Sequence, residues 1–335
     1  VSYTDNTNIP ETGVLPLIPD YTSFIGAAFF ISQWNMNTWL VEAGARYDFK
    51  NLDVVTISRT PPRQIERFNH LFNNVALNGG FTKSFGEQFD LSYNLGYAQR
   101  APEVNELYSY GLHQGVSGIE EGSPDLVPEH SLKNVLSFDW RLSDQLLIQA
   151  LGYFQRIDDY IYLEPQEELR LTIRGAFPVF IYKQTDANIY GTDLTITYKP
   201  SQIFKTDLIY SIVRGEDRTN NIPLIYMPSD NISAAISVVP GSGKIWRDNS
   251  IELTGKYVFE QTRLLPEQDF LAPPPGYFLL GVNLRTGFEL KDSHLDFNLR
   301  VENALNTSYR DYLNRMRYFA DEPGINFIFN INYAF

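Results

Sequence analysis

The chain has 335 residues, a net charge of −13, 43% hydrophobic and 14% aromatic residues, and no cysteine. That charge argues against nucleic acid as a partner, and the lack of thiols excludes disulfide and thiolate chemistry. The longest apolar run, near residues 25–31, falls short of the roughly 20 residues that a spanning helix needs, so a helical membrane protein is excluded.

Tyr (21) and Phe (23) far outnumber Met (3), which suits strands and interfacial girdles better than helices. The first residues, VSYTDNT, read as the middle of a loop, so the chain is expected to be a piece of a longer precursor. A short turn is expected at residues 32–35, a long connection at 51–69 and a short turn at 85–88. Phe89, Leu91, Tyr93, Leu95 and Tyr97 then alternate with Asp90, Ser92, Asn94, Gly96 and Ala98. Such a two-residue period puts the two sets on opposite faces of a strand. A long connection at 100–130, a short turn at 143–145 and a long connection at 160–187 follow. Leu194, Ile196 and Tyr198 repeat the alternation before a short turn at 199–202. Long stretches at 215–229 and 260–275 flank a moderate one at 240–248.

The end of the chain is the most regular part. Leu280, Val282, Leu284, Phe288 and Leu290 alternate with polar or small residues. After a turn at 291–293, Leu295, Phe297, Leu299 and Val301 alternate with Asp296, Asn298, Arg300 and Glu302. A last long connection at 306–324 leads to INFIFNINYAF, in which Ile328 is the one apolar residue on the polar face. A soluble sandwich also shows such alternation. Long and short connections taking turns along about thirteen strands instead define an all-β, transmembrane antiparallel β-barrel, with long loops outside and short turns in the periplasm. By that reading Leu295, Phe297, Leu299, Phe327, Phe329 and Ile331 face lipid, and Asp296, Asn298, Arg300 and Asn330 face the lumen. Single-chain bacterial barrels are usually even-numbered and plugged transporters have 22 strands, so about nine strands and an N-terminal domain are expected elsewhere.

Four segments carry a family resemblance. YAQRAPEVNELYSYGLHQG holds Arg100, Pro102 and Glu106 in an Arg-x-Pro run leading to Glu-Leu-Tyr. GSPDLVPEHS places Glu129 ahead of the next strand, VENALNTSYRDY holds Asn303 and Asn306, and PGINF, with Ile325 where the family often has Arg, leads into the terminal strand that stops on the aromatic Phe335. In order and spacing these resemble the TonB-dependent outer-membrane receptors. The resemblance implies localisation in the outer membrane of a Gram-negative bacterium, among lipid and lipopolysaccharide. It also implies coupling to the TonB complex through a plug domain with no counterpart in this chain, and a terminal Phe read by the assembly machinery. Arg100, on the lumen face, needs a partner, and Glu106 or Glu129 could supply it. Asn303 and Asn306 suit the dihedrals of a strand end.

Catalysis finds no support: His70, His113, His130 and His294 are scattered, no phosphate loop or nucleophile elbow is present, and no cofactor is indicated. The outer loop at 100–130 offers Tyr108, Tyr110, His113, Glu120 and Glu121, where His and carboxylates could bind a metal. The loop at 306–324 offers Arg310, Tyr312, Arg315 and Arg317, which suit an anionic or catecholate ligand. The competing reading is pairing of those arginines with Asp311, Asp321 and Glu322. The default cargo implied by the resemblance is a ferric siderophore. A zinc or copper receptor, and a passive porin or adhesin barrel, are the alternatives.

Overall fold

The computed structural model describes residues 1–7, 16–241, 243, 246–291 and 293–335. The expected connections at 240–248 and 291–293 therefore lie partly outside the described residues. The first part of the chain holds β1 (Ser2–Asn6), β2 (Asp20–Met36), β3 (Trp39–Ile57), β4 (Ile65–Phe85) and β5 (Phe89–Arg100). A helix of one turn, α1 (Val104–Tyr108), precedes the short strands β6 (Tyr110–His113) and β7 (Gly118–Glu121). Then come β8 (Glu129–Ser143), β9 (Leu146–Thr172), β10 (Gly175–Tyr198), β11 (Phe204–Asp217) and the stub β12 (Ile222–Pro223). The last strands are β13 (Asn231–Val238), β14 (Trp246–Val258), β15 (Tyr277–Leu290), β16 (Ser293–Glu302) and β17 (Asn326–Ala334).

All belong to one 17-stranded sheet. Each long strand pairs antiparallel with the next long strand of the chain, as β16 does with β15 and β17. No helix among the described residues is long and apolar enough to cross a membrane.

Register carries the two faces from strand to strand. Ile331 lies opposite Phe297, and Phe329 opposite Leu299, which in turn faces Leu284 and then Ile251. On the other face Asn330 lies opposite Asn298, then Arg285, then Ser250. Phe327, Phe329 and Ile331 are 65%, 59% and 54% exposed, a row that water would not tolerate bare and lipid would cover. The polar face borders an open hollow of about 830 Å³ lined by residues that include Asn283, Arg285, Asp296, Asn298 and Asn330. Ile328 lines it too, as its place on the polar face requires.

Three connections differ from expectation, one of them the stretch at 51–69, where β3 and β4 stay paired as far as Ile57 and Ile65 and leave only residues 58–64 as the loop. The first turn is at Asn37 and Thr38, not at residues 32–35, because β2 and β3 pair as far as Met36 and Trp39. Asn37 takes a left-handed φ of 55°, which Asn accepts more readily than most residues. The stretch at 160–187 is not an open loop: β9 and β10 continue through it as a hairpin to Thr172 and Gly175. Pro165 and Pro178 hid it from the sequence. In the structure they flank a single register shift, where a ladder hydrogen bond is dispensable.

Asn303 and Asn306 both have left-handed φ, 47° and 51°. The Asn303 amide accepts from the Thr307 N–H at 2.8 Å and donates to the Thr307 carbonyl at 2.8 Å, closing the strand end on itself. The Asn306 side-chain oxygen Oδ1 accepts from the Ile325 N–H at 3.0 Å, tying the far end of the loop to its start. A Cβ on Gly324 would lie 2.5 Å from that oxygen, so any larger residue there would push the Asn306 amide off this bond. Asn303→Ala is expected to cost about 2–3 kcal/mol locally, from the dihedral and the buried hydrogen bonds together. Asn303→Gly should recover the dihedral share. Proteolytic nicking of residues 307–324 in the folded protein reads both.

Candidate functional site

The outer loops build their own core. After β5 the chain folds inward, and Ala101, Val104, Leu107, Tyr108 and Leu126 pack on Leu52, Val54, Phe72 and Ile161 of the wall. Arg100 pairs with both expected carboxylates, Nε to Glu129 Oε2 at 2.6 Å and Nη1 to Glu106 Oε2 at 2.9 Å. Glu106 also accepts from the Glu103 N–H at 2.8 Å, so one carboxylate caps α1 and holds the wall. Lys50, almost wholly buried, donates to the carbonyl of the buried Pro102 at 3.1 Å and pairs with Glu103 at 2.9 Å. A Cβ on Gly122 would sit 2.5 Å from the backbone of Leu107 and Tyr108, which explains glycine at the return of this loop. Burial pushes the Tyr108 hydroxyl up to about 12, so it stays neutral; it lies 2.5 Å from His70 Nε2.

The two loops that the sequence marks as rival sites form one cluster. Arg315 Nη2 reaches Glu120 Oε1 at 2.7 Å, across 195 residues of chain. Glu120 is itself buried and lies 2.9 Å from His113 Nδ1. The Arg315 guanidinium stands 5.1 Å over the Phe180 ring. Arg317, only 2% exposed, pairs with the buried Asp269 and is held between the rings of Tyr312 and Tyr318, at 4.8 and 4.7 Å. Tyr318 also donates to Asp269, whose other support is the Phe270 N–H at 2.8 Å. Burial holds the Tyr318 and Tyr226 hydroxyls well above their ordinary range. Their oxygens are 3.2 Å apart, which brings the loop after β11 into the same cluster.

Of the remaining candidates, Arg310 donates to Asp321 at 2.6 Å and to the Arg317 carbonyl at 2.6 Å. Hydrogen bonds from Ser308 and Arg310 keep the Asp321 carboxyl below its usual range. Tyr110 lies under the Arg59 guanidinium, 4.8 Å away. Glu121 pairs with Arg170 of β9, so it turns away from His113 and Glu120. Among the described residues no group of three or more His, Cys, Asp or Glu is placed to hold a metal ion. Sequence reasoning missed Lys50, Phe180, Tyr226 and Asp269. Each gains its meaning from a partner far along the chain, and no local pattern marks it.

An antiparallel wall with a lipid-type apolar face, short turns at one end and a packed tier of loops at the other defines an outer-membrane β-barrel. Residues 2–304 match the family described as TonB dependent receptor-like, beta-barrel, and the chain belongs to that family. Its members are outer-membrane proteins of Gram-negative bacteria and act as transport receptors. Among solved structures the fold is similar to the copper transporter OprC, at 17% identity and a TM-score of 0.75, over 95% of this chain and 49% of that one. It is similar to the ferric-catecholate import receptor Fiu from K12 E. coli, at 14% identity and a TM-score of 0.65, over 94% and 45%. It is also similar to the Serratia marcescens hemophore receptor HasR, solved with its hemophore HasA and heme, at 16% identity and a TM-score of 0.66, over 95% and 52%. The chain thus spans about half the length of the solved proteins it matches.

Proposed function

We propose that this chain is the C-terminal part of the barrel of a receptor that takes up a ferric siderophore by TonB-coupled active transport. In this reading the plug and the remaining strands belong to the rest of the protein. The observation that supports it most is the Arg315–Glu120 pair, which joins the two outer loops into one tier rich in Tyr and Arg. Large aromatic and guanidinium surfaces suit a bulky organic chelate better than a bare ion. Ligand contact is assigned to the rim of this tier, with Tyr108, Tyr110, Tyr312 and Arg317 beneath it as framework. The fold likeness to Fiu, a ferric-catecholate import receptor, points the same way.

A metal-ion receptor is the second reading. It is favoured by the His113–Glu120 contact at 2.9 Å and by the fold likeness to the copper transporter OprC.

Uptake of labelled iron chelate and of labelled copper in cells carrying the whole receptor separates the two. Arg315→Ala, by parting the two loops that its pair with Glu120 joins, should lower chelate uptake about fivefold or more, Arg315→Lys should restore part of it by keeping that pair, and His113→Ala should change little. The reverse order, seen with copper, would establish the metal-ion reading. Uptake that persists without TonB would refute active transport.

A further inference from the structure

Phe180 and Glu120 are register partners across β10 and β7 and point into the arginine cluster. Val179 and Ile181, on the opposite face of the same strand, line a different space. It is a cleft of about 960 Å³ between the β9–β10 hairpin, the loop after β11 and the loop before β15. Its volume lies within the range of small-molecule sites.

The two sides of this strand differ in charge. Every arginine the sequence offers for an anion is already neutralised: Arg310 by Asp321, Arg315 by Glu120 and Arg317 by Asp269. Among the described residues that line the cleft the one cation, Arg170, is paired with Glu121. The lining carboxylates outnumber it. Glu164 is paired with Lys183, and Asp217 is held by Thr185, Thr219 and Asn220. Glu167 and Glu267 also line the cleft, are exposed, and have no ion-pair partner among the described residues. Between the charges stand Leu169, Leu171, Ile222 and Leu224, with Leu171 83% exposed. A polyanionic ligand would meet uncompensated carboxylates here and find no free guanidinium. A ligand with aliphatic arms and no net negative charge would cover the leucines and, if cationic, meet Glu167 and Glu267.

Resting on the uptake reading above, we infer that this cleft is a chelate site selective for neutral or cationic ferric complexes with aliphatic arms, of the trihydroxamate class, over ferric tris-catecholates. The test is equilibrium dialysis of radioiron chelates against the whole receptor in detergent. Three probes are used: a neutral cyclic ferric trihydroxamate, a cationic linear one, and a ferric tris-catecholate. The first two should bind at least tenfold more tightly than the third. The double variant Glu167→Gln/Glu267→Gln should weaken the cationic chelate about three- to tenfold and leave the neutral one unchanged, the scale of two exposed charge pairs. Leu169→Ser/Leu171→Ser should weaken both trihydroxamates alike. These four residues lie at the exposed rim, and unchanged heat-modifiable migration of the variants verifies folding. Tightest binding by the tris-catecholate, or a cationic chelate indifferent to the double Gln variant, overturns the charge assignment while the uptake reading stands. No binding by any of the three overturns the uptake reading itself.

Discussion

Replacing Phe297 by arginine will cost the barrel roughly 2–4 kcal/mol, and replacing Asn298 by arginine will cost little. The two residues are neighbours on β16, so strand propensity and depth are nearly matched. Only the face differs. Phe297 stands opposite Ile331 and Thr286 and packs against Phe288 and Phe329, with ring centroids 5.7 and 6.1 Å away. An arginine there must place its charge in hydrocarbon or drag water and headgroups inward. Asn298 stands opposite Asn330 and lines the polar hollow with Arg285, Asp296 and Arg300. A new guanidinium there has Asp296 and amide oxygens within its surroundings. Folding yield into lipid vesicles across a urea series measures the difference. Equal loss in both variants would mean that the faces are wrongly assigned.

Arg317→Ala should be the most damaging change in the outer loops, at about 3–5 kcal/mol of local stability. Arg317 and Asp269 are both almost wholly buried, so removing the guanidinium strands a carboxylate away from water. It also removes the cation between Tyr312 and Tyr318. The double change Arg317→Met/Asp269→Leu should cost less than Arg317→Ala, since no charge is then left unpaired. Amide exchange reports this best: protection should fall in the loops at 226–229, 260–275 and 309–322 and hold in β13 to β17. If loop protection is unchanged in Arg317→Ala, the buried pair does not organise this tier.

Much of the wall was legible because a strand broadcasts its environment every second residue. Leu295 to Glu302 and Asn326 to Ala334 needed no structure to be assigned to faces. The hairpin at the tip of β9 and β10 was not legible, because Pro165 and Pro178 mimic loop punctuation while a register shift absorbs them. Arg100 could be read as needing a carboxylate, and both candidates are used. The arginines of the last loop were harder. Asp321 is near in sequence, a partner that the loop itself offers, and it pairs with Arg310. Glu120 and Asp269 are not near, and a sequence carries no trace of which distant carboxylate will arrive beside which guanidinium.

The length of β9 bears on how this surface can change over time. It runs for 27 residues, whereas a tilted strand crosses the hydrocarbon in roughly 9–11. At about 3.3 Å per residue, some 50 Å of paired strand stands beyond the membrane. Its shape is held by backbone hydrogen bonds to β10, and Ile173, in the turn just past its end, packs on nothing. Side chains in that turn are free to be exchanged without unfolding the hairpin, so the part of the molecule farthest from the membrane is also the part with the fewest structural obligations.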